Sequence, residues 1–221
     1  MADPGTLLAA AAVGILGGVH CLGMCGGIVG AISMGHAGRT GPVWPLLLGY
    51  NLGRMASYVI AGALAGWLGA TLLGGLPAGQ MILQIVAAVF LILLGLYIAG
   101  WWPVLARLEQ VGGILWRRIE PLGRRFLPVR NTGQALVVGG LWGWLPCGLV
   151  YSVLAWSLSA GGALEGAALM AAFALGTLPN LLLMGVFAAK LAGFVRKPRV
   201  RQFAGAAIGL YGAGMLVALA L

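Results

Sequence analysis

Gly17-Gly18-Val19-His20-Cys21-Leu22-Gly23-Met24-Cys25-Gly26-Gly27 sets four soft or borderline metal-type ligands, His20, Cys21, Met24 and Cys25, inside an apolar run. Groups of this kind are costly in a bilayer, so their presence there calls for a functional reason. On a helix, residues four apart share a face, which stacks Cys21 over Cys25 and His20 over Met24. The flanking glycines, Gly26 and Gly27 among them, leave room for backbone or ligand to approach closely.

The rest of the chain puts this stretch in a membrane. Hydrophobic residues make up 61% and charged residues 8% of the sequence, and the mean hydropathy is +1.02. No soluble domain carries that composition without aggregating, so the fold class is an all-α polytopic membrane protein. The head of the chain has Asp3 and no Lys or Arg before Thr6, so the first apolar segment reads as a retained span rather than a signal peptide. The net charge of +9 comes from loop Lys and Arg, which report membrane topology; nucleic acid is not expected as a partner. Three cysteines suit one pair and a remainder, or a metal site, better than a disulfide framework.

Six apolar runs follow in order: Leu7 to about Met34, Trp44 to about Leu73, Met81 to about Trp101, Gln134 to about Ser159, Ala167 to about Ala189, and Phe203 to Leu221. Between the third and fourth, Arg107, Arg117, Arg118, Arg124, Arg125 and Arg130 accompany Leu108, Val111, Leu115, Ile119, Leu122 and Phe126 at helical spacing. A basic helix with one apolar stripe is expected to lie on the membrane surface. The turn at 36–42, this linker and the loop with Lys190, Arg196, Lys197, Arg199 and Arg201 carry the loop cations, and the alternate turns carry none. The positive-inside rule then makes those loops cytoplasmic and both termini outward, to the periplasm or cell exterior, a multi-pass arrangement in the lipid bilayer. Arg54 falls within the second span, near its cytoplasmic start, and is expected to snorkel.

A repeat links the halves. Gly17-Gly18 aligns with Gly139-Gly140, Cys25-Gly26 with Cys147-Gly148, Leu52-Gly53 with Leu175-Gly176, and Gly95-Leu96-Tyr97 with Gly209-Leu210-Tyr211. Three spans repeated in this way invert in the bilayer, giving two inverted three-helix repeats, residues 1–102 and 134–221, around a cytoplasmic basic linker, 103–133. Cys25 and Cys147 occupy equivalent places, and the symmetry brings them toward each other. Pro146 should break the fourth span just before Cys147 and Gly148, glycine alone should soften the first, and Pro179-Asn180 should break the fifth near the site.

Two chemistries fit. In the first, Cys25 and Cys147 alternate between dithiol and disulfide; this needs no cofactor but does need water to reach the thiols from each side in turn. In the second, His20, Cys21, Met24 and Cys25 bind a soft ion such as Cu(I), as a metal transporter or chaperone would. Cys21 has Gly143 as its repeat mate, so it stands outside the symmetric pair. A purely structural assembly factor is the third class, in which both cysteines are dispensable.

Six spans in two inverted halves, a cysteine in the first span of each and the second as Pro146-Cys147 resemble the CcdA/DsbD transmembrane thiol:disulfide electron transporters. The string His20-Cys21-Leu22-Gly23-Met24-Cys25-Gly26-Gly27 is similar to a branch labelled cytochrome c biogenesis transmembrane region or sulfite-exporter-like. The resemblance implies an oxidoreductase-like carrier. It would take reducing equivalents from cytoplasmic thioredoxin to an extracytoplasmic thioredoxin-like or cytochrome c maturation protein, with Cys25 and Cys147 as the redox pair and alternating access between faces. Glycines replace the prolines such proteins carry around the first cysteine, and His20, Cys21 and Met24 are additions of the branch.

Overall fold

The computed structural model describes residues 3–36, 41–73, 76, 78–195 and 197–220, and among them there is helix but no strand. Helix α1 (Pro4–Leu16) starts on Asp3, whose carboxylate accepts from the Thr6 amide at 3.2 Å, with Pro4 at the first position. It stops at Gly17 and α2 (Gly18–His36) begins at the next residue, so the first apolar run is two helices joined at one glycine. Next come α3 (Trp44–Leu73) and α4 (Gly79–Ala99), the latter closed by Gly100 in the left-handed region at φ 80°. The linker helix is α5 (Val104–Arg124). The fourth run is again divided, into α6 (Thr132–Trp142), capped by Asn131, and α7 (Gly148–Leu158). Long α8 (Ala163–Val195) and α9 (Pro198–Ala220) complete the chain.

A hydrocarbon core of about 30 Å takes about 20 helical residues. Among the described residues four helices meet that length with suitable composition, within α3, α4, α8 and α9; α1 and α7 are apolar but too short to cross alone. The outer surface suits lipid, with Leu164, Phe203 and Leu210 exposed by 77%, 74% and 72%. Two boundaries differ from the sequence reading. α8 continues past Ala189 to Val195, which makes Lys190 helical, and α9 begins early enough to take in Arg199 and Arg201. The expected turns at 36–42 and 74–79 lie partly outside the described residues.

Close packing of helix backbones sets the architecture. α4 packs along α9; α3 packs on α8, α6 and α7; α1 and α2 pack on α8. Glycine permits each approach, as in other membrane interfaces rich in small residues. A Cβ on Gly53 would strike the Leu136 carbonyl of α6, one on Gly176 would strike the Ala11 carbonyl of α1, and Gly95 of α4 lies against Gly205 and Gly209 of α9. Gly53 thus seats α3 on α6, and Gly176 seats α8 on α1.

Gly53→Leu is therefore expected to cost at least the ~1–3 kcal/mol typical of overpacking, read as a lowered melting temperature and loss of monodispersity. Gly27 has no atom within 4 Å of an added Cβ, so Gly27→Ala should be neutral or stabilising by up to ~1 kcal/mol.

Candidate functional site

The three cysteines are thiols in one buried cluster, with Cys21 and Cys25 each 6% and Cys147 7% exposed. Each is close enough to the other two for their charges to interact. The routes to that place differ. After α6 ends at Trp142 the chain turns through residues 143–147, and Pro146, which has no amide hydrogen, fits where the helical ladder is interrupted. Cys147 is then extended (φ −117°, ψ 144°) and is the N-cap residue of α7. Cys25 instead lies well inside α2, downstream of the break at Gly17. A helix break beside each cysteine was the sequence expectation, and it holds for Cys147 alone.

Asn180 serves the other break. Its side-chain amide donates to Ile15 O at 2.9 Å and Gly14 O at 3.4 Å, carbonyls at the end of α1, and it fills the space that a side chain on Gly18 would need. Pro179 is exposed and α8 runs through it without interruption, so the expected break in the fifth span is absent. A proline removes one ladder bond, and the rest of a long packed helix holds across the gap.

Arg54 does not snorkel. It is 1% exposed, and its guanidinium reaches inward: Nη1 donates to Cys25 Sγ at 3.8 Å, Nη2 donates to Thr177 Oγ1, and the group lies 5.2 Å from the centre of the Tyr58 ring. The Thr177 hydroxyl itself donates to Ala174 O at 2.8 Å. Rotation of α3 in its packing with α8 turns Arg54 into the core, where a long side chain on the lipid side would have run to the interface. An uncompensated arginine in an apolar span was the available sequence signal for this group.

Glu109 meets the site from the linker. Its Oε1 accepts the Gly148 amide at 2.7 Å and lies 3.2 Å from His20 Nε2, while Oε2 accepts the Tyr97 hydroxyl at 2.8 Å. The carboxylate thus sits at the N-terminus of α7, where a helix favours negative charge. Burial alone would raise its pKa, but the contacts with His20, the Gly148 amide and Tyr97 outweigh it and hold the carboxyl below the ordinary range. Gly148 has to be small here, because a Cβ would come 3.2 Å from Glu109 Oε1 and 3.3 Å from Leu105. The linker helix is accordingly more than a surface anchor. Leu105, Glu109, Gly112 and Trp116 form a face on the protein, with Gly112 against Pro146 and Trp116 edge-on to Trp142 at 5.5 Å. Of the apolar stripe read from sequence, Leu122 and Phe126 are exposed and Ile119 is half-buried; the side chains of Leu108, Val111 and Leu115 lie outside the described residues.

The four ligand-type residues of the opening stretch therefore have different surroundings. His20 faces Glu109 and the edge of Tyr97, whose ring centre is 5.5 Å away. Cys21 and Cys25 both lie on the side of Arg54, as their four-residue spacing requires. The Met24 side chain lies outside the described residues. Gly26 is half-buried and Gly27 faces open space, so Gly27 does not mark a close approach. Among the described residues no group of three or more His, Cys, Asp or Glu side chains is placed to hold a metal ion.

Because Glu109 gives up its proton more readily folded than unfolded, its charge stabilises the fold above the ordinary glutamate pKa of about 4.3, and that contribution is lost as pH falls through the lower folded value. Glu109→Gln should lower the melting temperature at pH 6 to 7, and the gap to the parent should close on acidification below about pH 4. A gap that stays constant with pH would contradict this placement of charge.

Comparison with known proteins places the chain. No curated protein and no solved structure matches it. Residues 9–214 match the family described as cytochrome C biogenesis protein transmembrane region, a span that takes in all three cysteines, Arg54 and Glu109. The chain belongs to that family of multi-pass membrane proteins.

Proposed function

We propose that the chain is a transmembrane thiol:disulfide electron carrier in which Cys25 and Cys147 alternate between dithiol and disulfide. Family membership supports thiol-disulfide electron transport in general. The observation that carries the finer reading is the common burial of two cysteines far apart in the chain, within reach of each other's charge and flanked by Arg54 and Glu109. Reducing equivalents enter from a cytoplasmic thioredoxin and leave to an extracytoplasmic thioredoxin-like or cytochrome c maturation protein. The protein is a multi-pass component of a bacterial inner membrane.

Six spans in two inverted halves give this route its geometry. The pairs α1–α2 and α6–α7 act as the divided first spans of the halves, α3 corresponds to α8, and α4 to α9. The packing supports it: α3 meets α6 as α8 meets α1, and matched Gly95 and Gly209 face each other across the α4–α9 contact. The breaks at Gly17 and at residues 143–147 are where the spans could flex to expose the pair to each face in turn.

Copper binding by His20, Cys21, Met24 and Cys25 is the competing reading. Arg54 weighs against it, since a guanidinium 3.8 Å from Cys25 Sγ repels an entering cation. No cofactor is needed for the redox route.

Mild oxidation of the full chain followed by disulfide mapping should give a Cys25–Cys147 bond that reduced thioredoxin reopens. Cys25→Ser and Cys147→Ser should each reduce transfer between thiol proteins to background. Thiols that never pair, or stoichiometric Cu(I) binding lost in His20→Ala without any such bond, would overturn the redox reading.

A further inference from the structure

Arg54 carries a positive charge at 1% exposure, and an unmatched charge so deep is strongly unfavourable. The four side-chain carboxylates of the chain are engaged elsewhere. Asp3 caps α1, Glu109 accepts the Gly148 amide, Glu120 belongs to α5, and Glu165 belongs to the start of α8. A guanidinium has five N–H donors in a fixed fork. Nη1 directs one to Cys25 Sγ and Nη2 one to Thr177 Oγ1, whereas Nε has no hydrogen-bond partner among the described residues. A second open donor stands one turn away: Tyr50 is 0% exposed, and its hydroxyl has no partner among the described residues either. Tyr50 and Arg54 are four residues apart on α3 and share a face of it, near enough for their charges to interact. Polar groups buried in this way are normally bonded. Two open donors beside one unmatched cation therefore mark the place of an acceptor that brings negative charge with it.

We propose that Arg54 Nε and the Tyr50 hydroxyl form a binding site for one small monovalent inorganic anion such as chloride. Charge and donor pattern select that class. One unmatched guanidinium is neutralised by one monovalent anion, whereas a divalent anion would leave net charge in an apolar interior and costs more to dehydrate. Both open groups donate, so an anion satisfies them together and a cation satisfies neither. Access comes from α2, which packs along α8 and touches α3 little. When α2 parts from α3, Arg54 is uncovered while its bond to Thr177 keeps the guanidinium in place. The open donors are shielded from solvent in the packed arrangement, so the anion enters by that movement, and its apparent affinity is reduced by the fraction of molecules in which the helices are apart. The site goes beyond the redox reading, because its donors come from α3 alone and it requires no reaction at the cysteines.

The test is thermal unfolding of the full chain in uncharged detergent at constant ionic strength, with sodium chloride replacing sodium gluconate, whose anion is too large for the site. A ligand held only by the folded state stabilises it, so the melting temperature should rise with the logarithm of chloride concentration once that exceeds the dissociation constant. Bromide and nitrate should act as chloride does, and sulfate should not. Tyr50→Phe should move the onset to about tenfold higher chloride, as loss of one hydrogen bond to a charged partner does, and Arg54→Gln should abolish the rise. Arg118→Gln, at an exposed cation of α5, should leave it unchanged. A parent without the rise would overturn the proposal, as would an onset unmoved in Tyr50→Phe, a rise lost in Arg118→Gln, or one that sulfate reproduces, since the anion would then act at surface cations. The parent and Tyr50→Phe decide it even if Arg54→Gln does not fold. The measurement involves no electron transfer. A chloride response without a Cys25–Cys147 disulfide would therefore uphold the site and remove the redox reading, and the disulfide without the response would do the reverse.

Discussion

A guanidinium buried with no carboxylate partner among the described residues is the constraint around which the interior is arranged. Arg54 holds Cys25 Sγ on α2 and Thr177 on α8 at once, with Tyr58 of its own helix alongside. Three helices are thereby fixed in rotation about one polar point in an otherwise apolar bundle. Van der Waals packing of small residues brings the helices together but is nearly indifferent to sliding, whereas directional bonds to a charge are not. The glycines at 53 and 176 allow the close approach, and the arginine selects which faces meet.

Glu109 has a similar role for the second half of the site, with the opposite sign. It ties the linker helix to the N-terminus of α7, to His20 of α2 and to Tyr97 of α4. A segment that joins α4 to α6 in sequence thus also bonds to α7 and lies against α2. Positive charge beside one cysteine and negative charge beside the other make the arrangement electrically unequal, although the sequence repeat treats the two cysteines alike. The inequality follows from their backbone settings, since Cys147 caps a helix while Cys25 lies within one. An anion at the α7 N-terminus can therefore come from Glu109 rather than from the cysteine itself.

Much of the helical layout was legible in the residues. Apolar runs located the long helices, Pro146 ended α6, and glycine alone divided α1 from α2. Pro179 misled, because a single missing ladder bond in a long packed helix need not end it. Arg54 was visible as a charge but was read by the rule for surface groups, as a snorkelling arginine, and Glu109 lay in a linker read as a surface helix. In a helix that is apolar on all sides, hydrophobic periodicity does not say which side faces the core.

The sequence by itself determined that the protein is helical and built for a membrane, and that its first and fourth apolar runs are interrupted. These are local or compositional properties, set by hydropathy, by the missing amide of proline and by the pattern of residues along the chain. The tertiary structure decided that Arg54 turns toward Cys25, that Glu109 reaches the start of α7, and that Asn180 bonds the carbonyls left open at the end of α1. Each of these contacts depends on the rotation of one helix against another, which close packing fixes and which a pattern along a single helix does not contain.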